Sequence, residues 1–173
     1  MWQDNVKPML IGEESIPFSD PDYIYEPYLH GTRCIAYIDP KYGVDMLGDV
    51  DDDTVRELRG IYKSVKAHCI LDGVIISHNE GRKCKHKYMA VDLLFYRHPI
   101  VNISLAGRKI LLKRAIKRQT DKIGIVEHVE ELGVPMYAIA THKGFDGAVA
   151  KRLDSRYYPG ETTSEWIRIV APR

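Results

Sequence analysis

The sequence predicts an α+β domain built on antiparallel sheets, and three observations carry that expectation. Short runs rich in β-branched and aromatic residues recur along the chain, few segments have helical character, and turn residues separate them at close spacing. The 173 residues suffice for one domain with a real core. With 45% hydrophobic and 28% charged residues, the composition excludes a disordered, collagen-like or coiled-coil chain.

The elements follow in order. Residues 33–39 (Arg-Cys-Ile-Ala-Tyr-Ile-Asp) read as a strand, and a turn at 40–43 leads to a second strand at 44–47. The acids at 49–53 suit the positive end of a helix at 54–66, as an N-terminal cap rather than a metal site. Residues 68–77 and 87–96 are strand-like, with a turn at Asn79-Glu80-Gly81 between them. Residues 105–120 read as a helix carrying Arg108, Lys109, Lys113, Arg114, Lys117 and Arg118 and no acid. Residues 125–130 form a weak strand and 135–142 a short helix. Residues 147–152 and 165–170 are short strands separated by a turn at Pro159-Gly160. No repeat, low-complexity segment or linker interrupts the chain, so a single domain over 1–173 is expected.

Lys plus Arg is 25 and Asp plus Glu is 24, a net charge of +1, so any nucleic-acid surface must be local. The basic helix at 105–120 is the candidate, because such a face can track a phosphate backbone; the bland alternative is a solvated face. No apolar run approaches the roughly 18 residues of a membrane span, and the first residues lack the features of a signal peptide. Three cysteines at irregular spacing make no disulfide framework. A cytoplasmic protein without a membrane partner is therefore expected. His68, Cys69, His78, Cys84 and His86 lack a zinc-site spacing, and no metal centre is expected from them.

Six motifs in order carry a resemblance. Gly144-Phe-Asp-Gly-Ala-Val-Ala-Lys-Arg152 with Tyr157-Tyr-Pro-Gly160, then Trp166-Ile-Arg-Ile-Val170, resembles the "G-x-E-G-V-V-A-K-R … S-x-Y-x-P-G … W-L-K-I-K" run of ATP-dependent DNA ligases. Upstream, Tyr88 to Phe95 resembles "Y-x-A-F-D-L-L-Y", Leu71 to Ile75 resembles "L-D-G-E-I", and Glu26 to Arg33 resembles "E-P-K-L-D-G-x-R". Lys7-Pro8-Met9-Leu10 resembles the usual entry to the domain. The bacterial end-joining ligases are the nearest subgroup. The resemblance implies the fold of the DNA ligase and mRNA capping enzyme adenylation domain (ATP-grasp-like): two antiparallel sheets flanked by helices, with a cleft between them. The segment between Gly73 and Tyr88 is shorter than usual. The family's oligonucleotide-binding barrel is not expected within these residues, so a partner supplying missing modules is one expectation.

The chemistry implied by the resemblance is covalent. A lysine amine attacks the α-phosphate of ATP, releasing pyrophosphate, and AMP then passes to a DNA 5′-phosphate. This needs a neutral amine, Mg²⁺ held by carboxylates, and cations around the triphosphate. Here the lysine position is Tyr28, and a phenol ionises far above neutrality unless a cation assists it. His30 replaces the next acid, Val74 replaces the glutamate of "L-D-G-E", Val91 replaces the adenine-stacking aromatic, and Val170 replaces the second lysine of "W-L-K-I-K". Glu26, Gly31, Arg33, Asp72, Lys151, Arg152 and Trp166 match. Asp146 and Arg168 substitute like charge for like.

The candidate pocket residues are therefore Glu26, Tyr28, His30, Arg33, Val74, Val91, Asp146, Lys151 and Arg168. ATP and Mg²⁺ are implied by the resemblance and weakened by the lost lysine and glutamate. DNA is the implied macromolecular partner. Three functions are expected in turn. The first is a degenerate adenylation domain that binds a nucleotide or a nucleic-acid end without forming lysyl-AMP. The second is an active ligase with Lys7 or Lys151 as relocated nucleophile. The third is a structural or regulatory subunit with a filled pocket. Arg33, Lys151 and Arg168 either bind phosphate or pair with acids such as Asp146 and Glu26, and Trp166 is expected in the core.

Overall fold

The structure is a computed structural model that describes residues 4–77 and 85–173. Its described residues form two five-stranded sheets. The first runs in the order β1 (Leu10–Ser15), β10 (Thr162–Ile169), β9 (Ala148–Arg152), β2 (Asp20–Pro27), β8 (Val129–Glu131). The second runs β4 (Gly43–Leu47), β3 (Thr32–Asp39), β5 (Cys69–Ser77), β6 (His86–Tyr96), β7 (Ile123–Ile125). The helices are α1 (Asp52–Leu58), α2 (Leu105–Ala115) and α3 (Gly133–His142). The expected α+β class is found. Each sheet is mixed, however, because β1 runs parallel to β10 and β7 parallel to β6.

Strand β3 shows how the layers arise. Ile35 and Tyr37 face the space between the sheets, with Ile70, Leu94 and Trp166. Cys34, Ala36 and Ile38 face the other way, against Leu58, Ile61 and Leu112. A strand covered on both faces reads as a continuous apolar run. The outer face of the first sheet packs Tyr25, Ala148 and Ile169 against Met136 and Tyr137 of α3.

Two helices are shorter than their patterns suggest. The segment expected at 54–66 is α-helical only to Leu58 and continues as a 3-10 helix, Arg59–Ser64. Gly60 there is a poor helix former. Asp51 caps α1 as expected, accepting from Thr54 N at 2.8 Å. The helix expected at 105–120 ends at Ala115, because Ile116 turns extended and forms an antiparallel bridge with Val65. Strands β1 and β2 had no periodic signal: β1 is mostly exposed, and β2 carries proline at Pro21 and Pro27. The turn expected at residues 79–81 lies outside the described residues. No helix among the described residues is long and apolar enough to cross a membrane.

Two of the six basic residues assigned to a nucleic-acid face are corrected here. Arg108 and Lys109 are buried, at 0% and 5% exposure. They lie three and four residues after Leu105, on the stripe that continues to Leu112 and faces the core. Arg108 forks onto Asp92 at 2.8 and 3.0 Å and donates to the carbonyls of Ile103 (2.7 Å) and Ser155 (2.9 Å). Burial pushes the Asp92 carboxyl up, but Arg108 outweighs it and holds the group below the usual carboxylate range. Removing one partner of such a pair strands the other charge. Arg108→Met should therefore cost about 3–5 kcal/mol of stability in urea unfolding, whereas exposed Lys113→Gln should stay within about 0.5 kcal/mol.

Candidate functional site

A cleft of about 170 Å³ is lined by Glu26, Tyr28, Arg33, Val74, Val91, Lys151 and Trp166. Five of the sequence candidates and the matching Trp166 meet there beside Tyr28, drawn from both sheets. Strand β2 delivers Glu26, and the chain beyond it is pinned where Tyr28 N donates to Gly147 O at 3.0 Å. Gly147 has φ +102°, and a Cβ there would lie 2.3 Å from Ile169 O. Only glycine fits that approach.

Charge in the cleft is tightly paired. Glu26 is 2% exposed and accepts from Lys109 of α2 and from Lys151 of β9, the latter at 2.5 Å. Lys109 also donates to Val91 O at 2.7 Å. Burial pushes the Glu26 carboxyl up, yet the two ammonium groups outweigh it and hold it below its ordinary value. For Lys151, burial lowers the amine, Glu26 opposes this and Lys109 adds to it; the net direction is down. Lys151 Nζ also sits 4.1 Å from the centroid of the Trp166 ring. Arg33 forks onto Asp72 at 2.6 and 2.5 Å, and Tyr157 donates to the same carboxylate at 2.7 Å. Lys151 thus pairs with Glu26 rather than Asp146, and Arg33 pairs with neither Glu26 nor Asp146.

Tyr28 does not plug the cleft alone. The Arg168 guanidinium lies over its ring, 3.8 Å from the centroid. Tyr28, Leu29 and Gly31 also line an outer groove of about 910 Å³ with His30, Gly144 and Asp146. Tyr28 therefore stands between the inner cleft and that groove. His30 and Asp146 are exposed and 3.9 Å apart.

Two donors at the site have no partner. Trp166 Nε1 and Arg168 Nε are buried and make no hydrogen bond among the described residues, while Arg168 donates through its other nitrogen to Asp146 O at 3.4 Å and stacks on Tyr28. A buried donor left unpaired is costly, and phosphate oxygens would satisfy both. The residues present thus fit a phosphate group. A divalent ion is less well served: Glu26 is held by two ammonium groups, Asp72 by Arg33 and the Tyr157 hydroxyl, and Val74 offers no ligand. Among the described residues no three His, Cys, Asp or Glu side chains are grouped for a metal. His78 and Cys84 lie outside them.

Sequence reasoning missed two contributors. Trp166 is buried as expected but also forms a cleft wall. Lys109 was assigned to a DNA-facing surface, although its position on the apolar stripe of α2 signalled a buried partner.

Two mixed sheets enclose the charged cleft. The family model of the ATP dependent DNA ligase domain matches residues 77–169, more than half of the chain, and the chain belongs to that family. Its fold is that of a ligase adenylation domain. The chain is similar to a DNA ligase of Archaeoglobus fulgidus, at 26% identity over 69% of this chain and 25% of that protein. It is similar to the multifunctional non-homologous end joining protein LigD of Mycobacterium bovis, at 25% identity over 95% of this chain and 24% of that protein. It therefore spans about a quarter of the length of these relatives. Among solved structures, it superposes on mycobacterial DNA ligase D complexed with ATP and MES. The TM-score is 0.80 at 22% identity, over 95% of this chain and 60% of that one. The ligase domain of Mycobacterium tuberculosis LigD gives a TM-score of 0.79 at 22% identity, over 95% and 59%.

The Glu26 cluster makes a pH-dependent expectation. Its folded carboxyl lies below its unfolded value of about 4.3, so its contribution is complete above that pH and fades as pH falls through the folded value. Glu26→Gln leaves two buried ammonium groups unpaired. It should cost about 3–5 kcal/mol at neutral pH and flatten the acid limb of the stability curve, measured by urea unfolding across pH.

Proposed function

We propose that this chain is a ligase-type nucleotidyltransferase domain that does not adenylate itself and instead holds a nucleotide or a nucleic-acid end reversibly in its cleft, in DNA repair by end joining. The observation that carries this is the Tyr28–Arg168 stack at the position where the resemblance calls for a nucleophilic lysine. A phenol under a guanidinium is a polar wall, and no free amine lines the cleft among its described residues. Similarity to LigD supports the end-joining setting.

The same cleft favours phosphate over adenine. Val91 stands where the family stacks an aromatic ring on the base. The inner volume of about 170 Å³ is below the range of about 300–1,000 Å³ common for whole small-molecule ligands. Arg168 and Trp166 keep donor capacity for phosphate oxygens, while Arg33 and Lys151 set a positive wall behind them. A nucleotide would extend from the inner cleft past Tyr28 into the outer groove.

A relocated nucleophile is the second reading, and one observation favours it: burial lowers the Lys151 amine. Against it, Lys151 is held by Glu26 and lies on the Trp166 ring. Lys7 is exposed and does not line the cleft.

Calorimetric titration with ATP and, separately, a 5′-phosphorylated single-stranded oligonucleotide tests the proposal. Reversible binding that Arg168→Gln weakens about tenfold, the loss of one charge-assisted contact, is the expected result. If neither ligand binds, the pocket is structural and the proposal fails.

A further inference from the structure

Outside the cleft, the fold gathers exposed cations that the sequence keeps apart. The bridge between Val65 and Ile116 joins two segments edge to edge, with Lys117 N donating to Ser64 O and Lys66 N to Ala115 O, both at 2.9 Å. Val65 and Ile116 point into the core. Side chains alternate along extended backbone, so Lys66 and Lys117 beside them turn outward together. Both are exposed, as are Lys63 on one segment and Lys113, Arg114 and Arg118 on the other.

None of these six cations has a carboxylate partner at ion-pair distance among the described residues. The ion pairs found there are made by other cations, such as Arg56 with Asp53 and Arg152 with Asp154. Like charges on neighbouring extended segments repel one another, and in a chain of net charge +1 this density is local. The partly buried Tyr62 lies against the patch, with Lys63 Nζ 5.9 Å from its ring centroid. Beside it, Lys113, Ile116, Gln119, His128 and one carboxylate, Glu127, line a groove of about 410 Å³.

We infer that this two-segment patch, Lys63 and Lys66 with Lys113, Arg114, Lys117 and Arg118, binds the phosphate backbone of duplex DNA without reading sequence. Charge complementarity selects the partner. A regular polyanion can engage six cations at once and release its condensed counterions, whereas an isolated phosphate meets only one or two. Backbone contacts of this kind position a protein on DNA but carry no base specificity. The surface shares no residue with the cleft, so it does not depend on what the cleft holds.

Fluorescence anisotropy on a labelled, covalently closed dumbbell duplex tests it, because that substrate offers the cleft no end. The logarithm of the binding constant should fall linearly with the logarithm of salt concentration. Lys66→Gln/Lys117→Gln, and separately Arg114→Gln/Arg118→Gln, should each weaken binding roughly tenfold and flatten the slope by roughly 1.8. Lys41→Gln, an exposed cation elsewhere, should change neither, and thermal melts should show all variants folded. Three results overturn the assignment: no binding to the closed duplex, folded double variants that bind as tightly as the parent, or polyglutamate or anionic vesicles binding as tightly as DNA.

Discussion

The cleft depends on one carboxylate. Glu26, at the end of β2, is bridged to Lys151 on the neighbouring strand β9 and to Lys109 on α2, while Lys109 is tied to the Val91 carbonyl on β6 of the other sheet. One group therefore fixes the relation of two sheets and a helix. Buried charge is tolerated only where partners satisfy it. Here two cations share one anion, and the Val91 carbonyl and the Trp166 ring take up the remaining ammonium faces. Asp72 does the same for Arg33 and Tyr157, and Asp92 for Arg108. Of these three acids, Glu26 and Asp92 tie strands to α2, and Asp72 ties two neighbouring strands of one sheet to Tyr157.

The same joints explain what the cleft lacks. A ligase-type reaction needs an amine that is neutral and free, but each buried amine here is bound to Glu26. Tyr28 holds the expected position of the nucleophile as a ring under Arg168. What remains is electrostatic: among the described residues, Arg168 Nε and Trp166 Nε1 are donors without a hydrogen-bond acceptor. On the proposed reading the site receives phosphate oxygens, and Tyr28 stands where the family's nucleophilic lysine is expected.

Much of this was legible in the sequence, for identifiable reasons. Strands β3, β5 and β6 are covered on both faces, so their runs of Cys34 to Ile38, Cys69 to Leu71 and Met89 to Phe95 stand out. The motifs placed Glu26, Arg33, Val74, Val91 and Lys151 around one cleft. Strand β1 was invisible because it is an exposed edge whose pairing with β10 is purely tertiary. The basic helix was misjudged as one uniform face. Arg108 and Lys109 share the buried stripe with Leu105 and Leu112, and only the remaining four cations reach solvent. Lys63 and Lys66 joined those four through the Val65–Ile116 bridge, a contact across some fifty positions that no local pattern encodes.

The most direct measurement is the intact mass of the denatured protein after incubation with ATP and Mg²⁺, beside an ordinary ATP-dependent ligase treated identically. An unchanged mass, with the control ligase adenylated, is the result this account predicts. A stable increase of one AMP would contradict it, and peptide mapping to Lys151, Lys7 or Tyr28 would then name the nucleophile.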